Sequence, residues 1–152
     1  MENNKNEMIL NKEIDLIQSC INRMAHNSFI IKGWLISLLA VILTLLPENI
    51  DMKLTCLIGL LITICFWYLD GFFLKTEKLY RWKYDWVIVK RLETDKYSYN
   101  LNPYNSKMWL PEKNGAEKKI PSVISVMFSK TLCPMYLLIV LVILIIFITF
   151  KN

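Results

Sequence analysis

Two ionisable side chains stand inside otherwise apolar runs of this chain: Lys32 within Phe29–Leu46 and Asp70 within Leu54–Leu74. A charge held in hydrocarbon costs roughly 2.5–3.5 kcal/mol on insertion scales, so each needs a partner or a route to water. A short polar break, PENIDMK, joins the two runs, so they fold back as an antiparallel hairpin and bring the two charges to similar depth. An ion pair between Lys32 and Asp70 is the packing reading, helped by the ease with which a lysine near the interface snorkels. The functional reading is a gate: the pair opens on activation, or Asp70 lines a pore mouth in an oligomer.

The remaining reactive residues are sparse. His26 is the single histidine, and Cys20, Cys56, Cys65 and Cys133 are scattered without a CxxC pair. No metal cluster and no nucleophile–base set assembles from them, so no catalytic residue, metal or cofactor is assigned and the chain is read as a non-enzyme. Asp70, His26 and Cys20 are catalytic candidates only by default; ion pair, helix surface and packed core account for them better. A second constellation lies in Thr94–Lys119, where Tyr97, Tyr99, Tyr104 and Trp109 interleave with Lys96, Lys107 and Lys113. Aromatic faces stack on a base and lysines neutralise phosphates, which suits a nucleotide-like ligand or a partner protein. The same aromatics would equally pack at a membrane interface.

The elements that must position these groups are helical. Phe29–Leu46 and Leu54–Leu74 each match the roughly 20 residues of a membrane helix, and a third run, Leu132–Phe150, carries no charge at all. Before the first run, Leu10, Ile14, Ile17, Ile21 and Met24 recur at alternating intervals of four and three, the mark of an amphipathic helix that needs a partner within or between chains. Beyond the second run neither Pro nor Gly occurs from Phe72 to Asn102, so the helix is expected to continue over Lys75–Glu93. Leu79, Trp82, Trp86 and Val89 would form its stripe, with Tyr80, Tyr84 and Val87 beside it. An aromatic surface of this size is expected to be covered. Turn signals Asn-Pro, Leu-Pro and Asn-Gly make residues 94–119 a long loop or small irregular element. Ile120–Lys130 predicts a short surface helix with Pro121 at its first position.

The expected fold class is therefore all-α: an integral membrane protein with three transmembrane helices, an N-terminal amphipathic helix and a cytoplasmic helix extending the second span. Its parts are 1–28 (amphipathic helix), 29–74 (membrane hairpin), 75–131 (cytoplasmic helix, loop and interfacial helix) and 132–152 (third span). Composition agrees: of 152 residues 55% are apolar and only 20% charged, which disfavours a water-soluble domain. The net charge of +5 is too small, on so apolar a chain, for a binder of nucleic-acid polymer. The basic residues concentrate between Lys75 and Lys130, whereas the turn between the first two runs has only Lys53. By the positive-inside rule the N terminus and the long segment are expected to be cytoplasmic and the C terminus outside. The polar residues ahead of the first run, with no small-residue cleavage pattern after it, predict that this helix is retained.

Two stretches, IQSCINRMAHNSFIIKGW (Ile17–Trp34) and FWYLDGFFLKTEKLYRWKYD (Phe66–Asp85), resemble small bacterial membrane effectors of antiphage defence of the SLATT-like class. The resemblance covers about a third of the chain and rests on Arg23, Met24, Asn27, Lys32, Gly33 and Trp34 in the first stretch. In the second it rests on Asp70, Glu77, Leu79, Arg81, Tyr84 and Asp85. It implies a homo-oligomer in the lipid bilayer that forms a channel or disrupts the membrane during abortive infection. Activation would come from a nucleotide second messenger or from a TIR-type or cyclase-like partner protein. A third span departs from the two-span pattern of that class. The competing expectation is a non-conducting membrane anchor or scaffold that recruits a soluble enzyme.

Overall fold

The computed structural model describes residues 2–44 and 51–149. The Leu46 end of the first apolar run, most of the turn after it, Phe150, and the C-terminal Lys151 and Asn152 lie outside the described residues. Helices α1 (Glu2–Thr44), α2 (Met52–Lys90), α3 (Val123–Met127) and α4 (Cys133–Thr149) dominate, with one 3-10 turn at Ser106–Met108. Among the described residues there is no strand.

α1 and α2 are each long and apolar enough to cross a membrane. Only 11% of the apolar window of α1 and 28% of that of α2 is buried, so most of their apolar surface is left uncovered within the chain. α4 is apolar throughout its 17 residues. At 1.5 Å per residue that is about 25 Å, at the short end of what spans a bilayer. Pro134 falls in its first turn, where a missing N–H leaves no bond unmade.

The chain divides into two compact units. One comprises the residues up to His26 together with Leu74–Pro121. Its core is Ile17, Cys20 and Ile21 of α1 against Tyr80, Trp86 and Val87 of α2 and Met108 of the 3-10 turn. The buried faces are rotated from those the apolar spacing suggests. On α1 the centre is Ile9, Glu13, Ile17 and Cys20, with Leu10, Ile14 and Met24 only partly covered. On α2 it is Leu79, Tyr80, Lys83, Trp86 and Val87, joined by Arg91 just past its end, whereas Val89 is exposed. The physical reason is that Glu13, Lys83 and Arg91 take core positions, their heads held by hydrogen bonds to the irregular segment that follows α2.

That segment is ordered by its own side chains. The carboxamides of Asn100, Asn102, Asn105 and Asn114 each accept from the backbone N–H two residues on, at 2.9–3.3 Å, making a series of Asx turns. Asn114-Gly115 closes a tight turn between Glu112 and Ala116, with Gly115 at φ +80°, where a side chain would be strained.

The other unit comprises Asn27–Phe73 together with the residues from Ser122 on. Here the short surface helix is only five residues long. Ser122, whose hydroxyl accepts from the N–H of Ser125 at 3.0 Å, is its N-cap, so Pro121 stands before the helix rather than in it. α3 lies close against α2 at Gly71: a Cβ there would sit 2.8 Å from Met127 Cγ.

Candidate functional site

Asp70 is wholly buried. Lys32 and Ser28 are one turn apart on α1, which puts both on the face that meets it. Lys32 Nζ lies 2.6 Å from Asp70 Oδ2, and the Ser28 hydroxyl donates to Oδ1. Lys32 also donates to the Ser28 hydroxyl (2.7 Å) and to the Ser28 carbonyl (3.1 Å), so all three ammonium protons are placed. The Tyr136 hydroxyl of α4 donates to Oδ2 at 3.0 Å. The carboxylate thus accepts from three donors on two helices beside its own, the satisfaction that a buried charge requires.

The shell around this network is aromatic. The rings of Tyr136 and Trp67 stack at 5.4 Å and 3°, Phe128 lies 5.1 Å from Trp67, and the Trp67 indole N–H donates to the Met127 carbonyl at 2.9 Å. One residue, Asp70, is therefore wired to α1, to α4 and, through Trp67 on its own helix, to the end of α3.

The other unit holds a second buried charge cluster. Arg91 and Glu13 are 0% and 2% exposed and pair through two bonds, Nε to Oε2 at 2.6 Å and a terminal nitrogen to Oε1 at 3.1 Å. The guanidinium also donates to the carbonyls of Thr94 and Lys96, and the Tyr99 N–H donates to Glu13 Oε1 at 2.5 Å. This grip holds Tyr97 and Tyr99 in the left-handed region, φ +61° and +59°, which non-glycine residues adopt only when neighbouring contacts over-determine them. Lys83, also wholly buried, donates to the Asn102 carbonyl at 2.8 Å. Burial, with Arg91 nearby, pushes its ammonium down to about 8 against the opposing pull of Glu13.

The sequence-derived residues are distributed between these settings. Lys32 and Asp70 meet. Glu77 pairs with Arg81 one turn on, at 2.7 Å, and Tyr84 accepts from Gln18 at 3.2 Å. Leu79 is buried, Met24 and Asn27 are half-buried, and Arg23, Gly33, Trp34 and Asp85 are exposed. Of the loop aromatics, Tyr97, Tyr99 and Tyr104 are exposed, as is Lys107, while Trp109 packs edge-on to Trp82 at 5.3 Å.

Ser28, Tyr136 and Trp67, and in the other unit Glu13, Lys83 and Arg91, are the functional candidates that pattern reading passed over. Faint signals exist: Ser28 is one turn from Lys32, Tyr136 is the one hydroxyl-bearing ring of a charge-free helix, and Leu79, Lys83, Val87 and Arg91 follow one another at intervals of four. Among the described residues no group of His, Cys, Asp and Glu could hold a metal ion. No family model, no curated protein and no solved structure matches this chain.

Proposed function

We propose that the chain is an oligomeric effector of the bacterial inner membrane, silent at rest, that opens a channel or disrupts the bilayer when a nucleotide-derived signal or a partner protein acts on its cytoplasmic part. It would have three spans, α1, α2 and α4, with the N terminus cytoplasmic and the C terminus outside, and no catalytic role. Three spans enclose no aqueous path alone, so conduction needs several copies around an axis. The observation that carries the reading is the Asp70 network: an ionisable group inside an apolar run, fully buried and bound to three donors on two further helices. Such a group is costly to retain, and a network satisfied in one helix arrangement and broken in another is a two-state element. The likeness to SLATT-like effectors, carried by Ile17–Trp34 and Phe66–Asp85, points the same way.

The test is membrane potential, read with a voltage-sensitive dye in bacteria expressing the chain alone, with its neighbouring gene, and as Lys32→Met and Asp70→Asn variants. Depolarisation that appears on triggering, and that the substitutions unlock or abolish, supports the effector. A potential that never changes while a soluble enzyme becomes membrane-bound supports instead the anchor reading. The observation favouring that second reading is the exposed pair Tyr97 and Tyr99, 39% and 51% accessible on a loop pinned from beneath.

A further inference from the structure

Three lysines of the first unit gather on two rings, and among the described residues none of them forms an ion pair. Lys78 Nζ lies 5.4 Å and Lys118 Nζ 5.2 Å from the centre of the same indole, Trp82, and Lys75 Nζ lies 5.8 Å from the ring of Tyr104. Trp109 stands edge-on to Trp82 at 5.3 Å and donates its indole N–H to the Pro103 carbonyl at 3.2 Å, so the platform is fixed from α2 and from the loop. The four ion pairs among the described residues engage Lys32, Arg81, Lys90 and Arg91, and none of these three lysines. Beside Lys118 opens a hollow of about 380 Å³, lined by Ser106, Lys107, Trp109, Leu110, Pro111 and Lys118, with Glu117 its one acidic residue.

Indole rings hold ammonium groups in place, yet leave their charge uncompensated. Like charges held near the same rings repel one another, and an anion between them would relieve that repulsion. This grouping differs from the loop set that sequence spacing suggests. Tyr97 and Tyr99 belong to the Glu13–Arg91 grip, and the basic–aromatic cluster draws Lys75, Lys78 and Trp82 from α2 instead.

We propose that Lys75, Lys78 and Lys118, arrayed on Trp82 and Tyr104, bind the phosphate group of an organic phosphate, with Lys107 and Trp109 receiving the rest of the molecule in the adjoining hollow. Two sources carry that chemistry. Lys75 follows the apolar run directly and Lys78 is four residues past Leu74. At 1.5 Å per residue that places their backbone within about 6 Å of the end of the run. This is the depth of the headgroup layer, about 5–7 Å on each side, so an anionic phospholipid is one source. A free phosphate ester carrying a flat ring, entering the hollow beside Trp109, is the other. The lipid source rests on reading Leu54–Leu74 as a span; phosphate binding itself needs no conductance, so its failure and that of the channel are read separately.

The experiment uses the full chain in nanodiscs and follows thermal unfolding. One arm compares phosphatidylcholine discs with discs containing phosphatidylglycerol; the other adds adenosine monophosphate or inorganic phosphate to phosphatidylcholine discs. Stabilisation by phosphatidylglycerol alone assigns the site to lipid, and stabilisation by adenosine monophosphate assigns it to a soluble ligand; either supports the proposal. With each interfacial lysine worth about fivefold in affinity, a Lys75→Gln, Lys78→Gln, Lys118→Gln triple variant should weaken binding by about 100-fold. The charge-matched Lys5→Gln, Lys12→Gln, Lys90→Gln variant should leave it within about twofold. Stabilisation by none of the three additives, or equal loss in both triple variants, overturns the proposal.

Discussion

Removing the Tyr136 hydroxyl takes one of three donors from the Asp70 carboxylate, and a bond to a charged group contributes roughly 1.5–3 kcal/mol. Tyr136→Phe keeps the stack on Trp67 and should therefore loosen α4 at this point without unfolding the unit. Lys32→Met should be the harsher change, because it leaves a buried carboxylate without its counter-charge. Asp70→Asn should be milder, since the carboxamide oxygen still accepts from one of the two hydroxyls and its NH2 donates to the other, while Lys32, a quarter exposed, reaches water. Thermal unfolding of the three variants in detergent, ranked Asp70→Asn above Lys32→Met in stability, checks this order; the reverse ranking would mean that the ammonium and not the carboxylate is the costly charge. Lys83 gives a pH signature. Its folded value of about 8 lies below the ordinary 10.5, so below pH 8 the ammonium is protonated in both states and the burial cost is fully present. Between pH 8 and 10.5 the unfolded chain holds the proton that the folded chain has released, so this residue's contribution to stability rises with pH. Lys83→Met should remove that rise and, by taking a charge out of the core, cost little at pH 7 despite losing the bond to Asn102. Unfolding midpoints from pH 7 to 10.5 for both proteins are the measurement.

Between elements, the Glu13–Arg91 ion pair is buried in the seam between α1 and the end of α2 in the first unit. Glu13→Ala or Arg91→Ala alone should cost about 3–5 kcal/mol, because each leaves an uncompensated buried charge. The Glu13→Leu, Arg91→Met double variant should recover much of that loss, although Tyr99, Thr94 and Lys96 lose their partners. Hydrogen exchange at residues 94–100 then separates the two roles of the pair: it should stay fast in the double variant even where global stability returns. At Gly71 the constraint is one of space. A Cβ would lie 2.8 Å from Met127 Cγ and 3.4 Å from the Val123 carbonyl, while alanine gains about 1 kcal/mol of helix propensity over glycine. Gly71→Ala should accordingly be close to neutral, and Gly71→Leu should push α3 off, freeing the Trp67 indole from the Met127 carbonyl. Faster amide exchange over Val123–Phe128 in the leucine variant alone is the expected result.

For the molecule entire, the topology follows from charge counted along the chain. With twelve of its basic residues between Lys75 and Lys130, that segment should be cytoplasmic and the C terminus outside. A phosphatase fusion after Asn152 should be active and one inserted near Gly115 silent; activity at both would remove the third span. The helical class, the two long apolar helices and the apolar segment near the C terminus were all readable from runs and periodicity, because hydrophobic length and spacing are local properties of the chain. The nearness of Lys32 and Asp70 was readable too, since a hairpin with one short turn pairs residues by counting outward from that turn.

What counting could not reach is which polar groups become core. Glu13, Lys83 and Arg91 look in sequence like the solvated face of amphipathic helices, yet all three are buried, because the irregular segment after α2 supplies carbonyls and an N–H at the points where their heads arrive. Tyr136, some 66 residues from Asp70, and Trp82, far along the chain from Lys118, meet their partners only through the path of the chain between them. The sequence by itself determined the helices, their apolar lengths and the concentration of basic residues between Lys75 and Lys130. Tertiary structure alone decided which charges are satisfied and by whom, since the free energy of a buried polar group depends on donors and acceptors delivered from elsewhere in the chain.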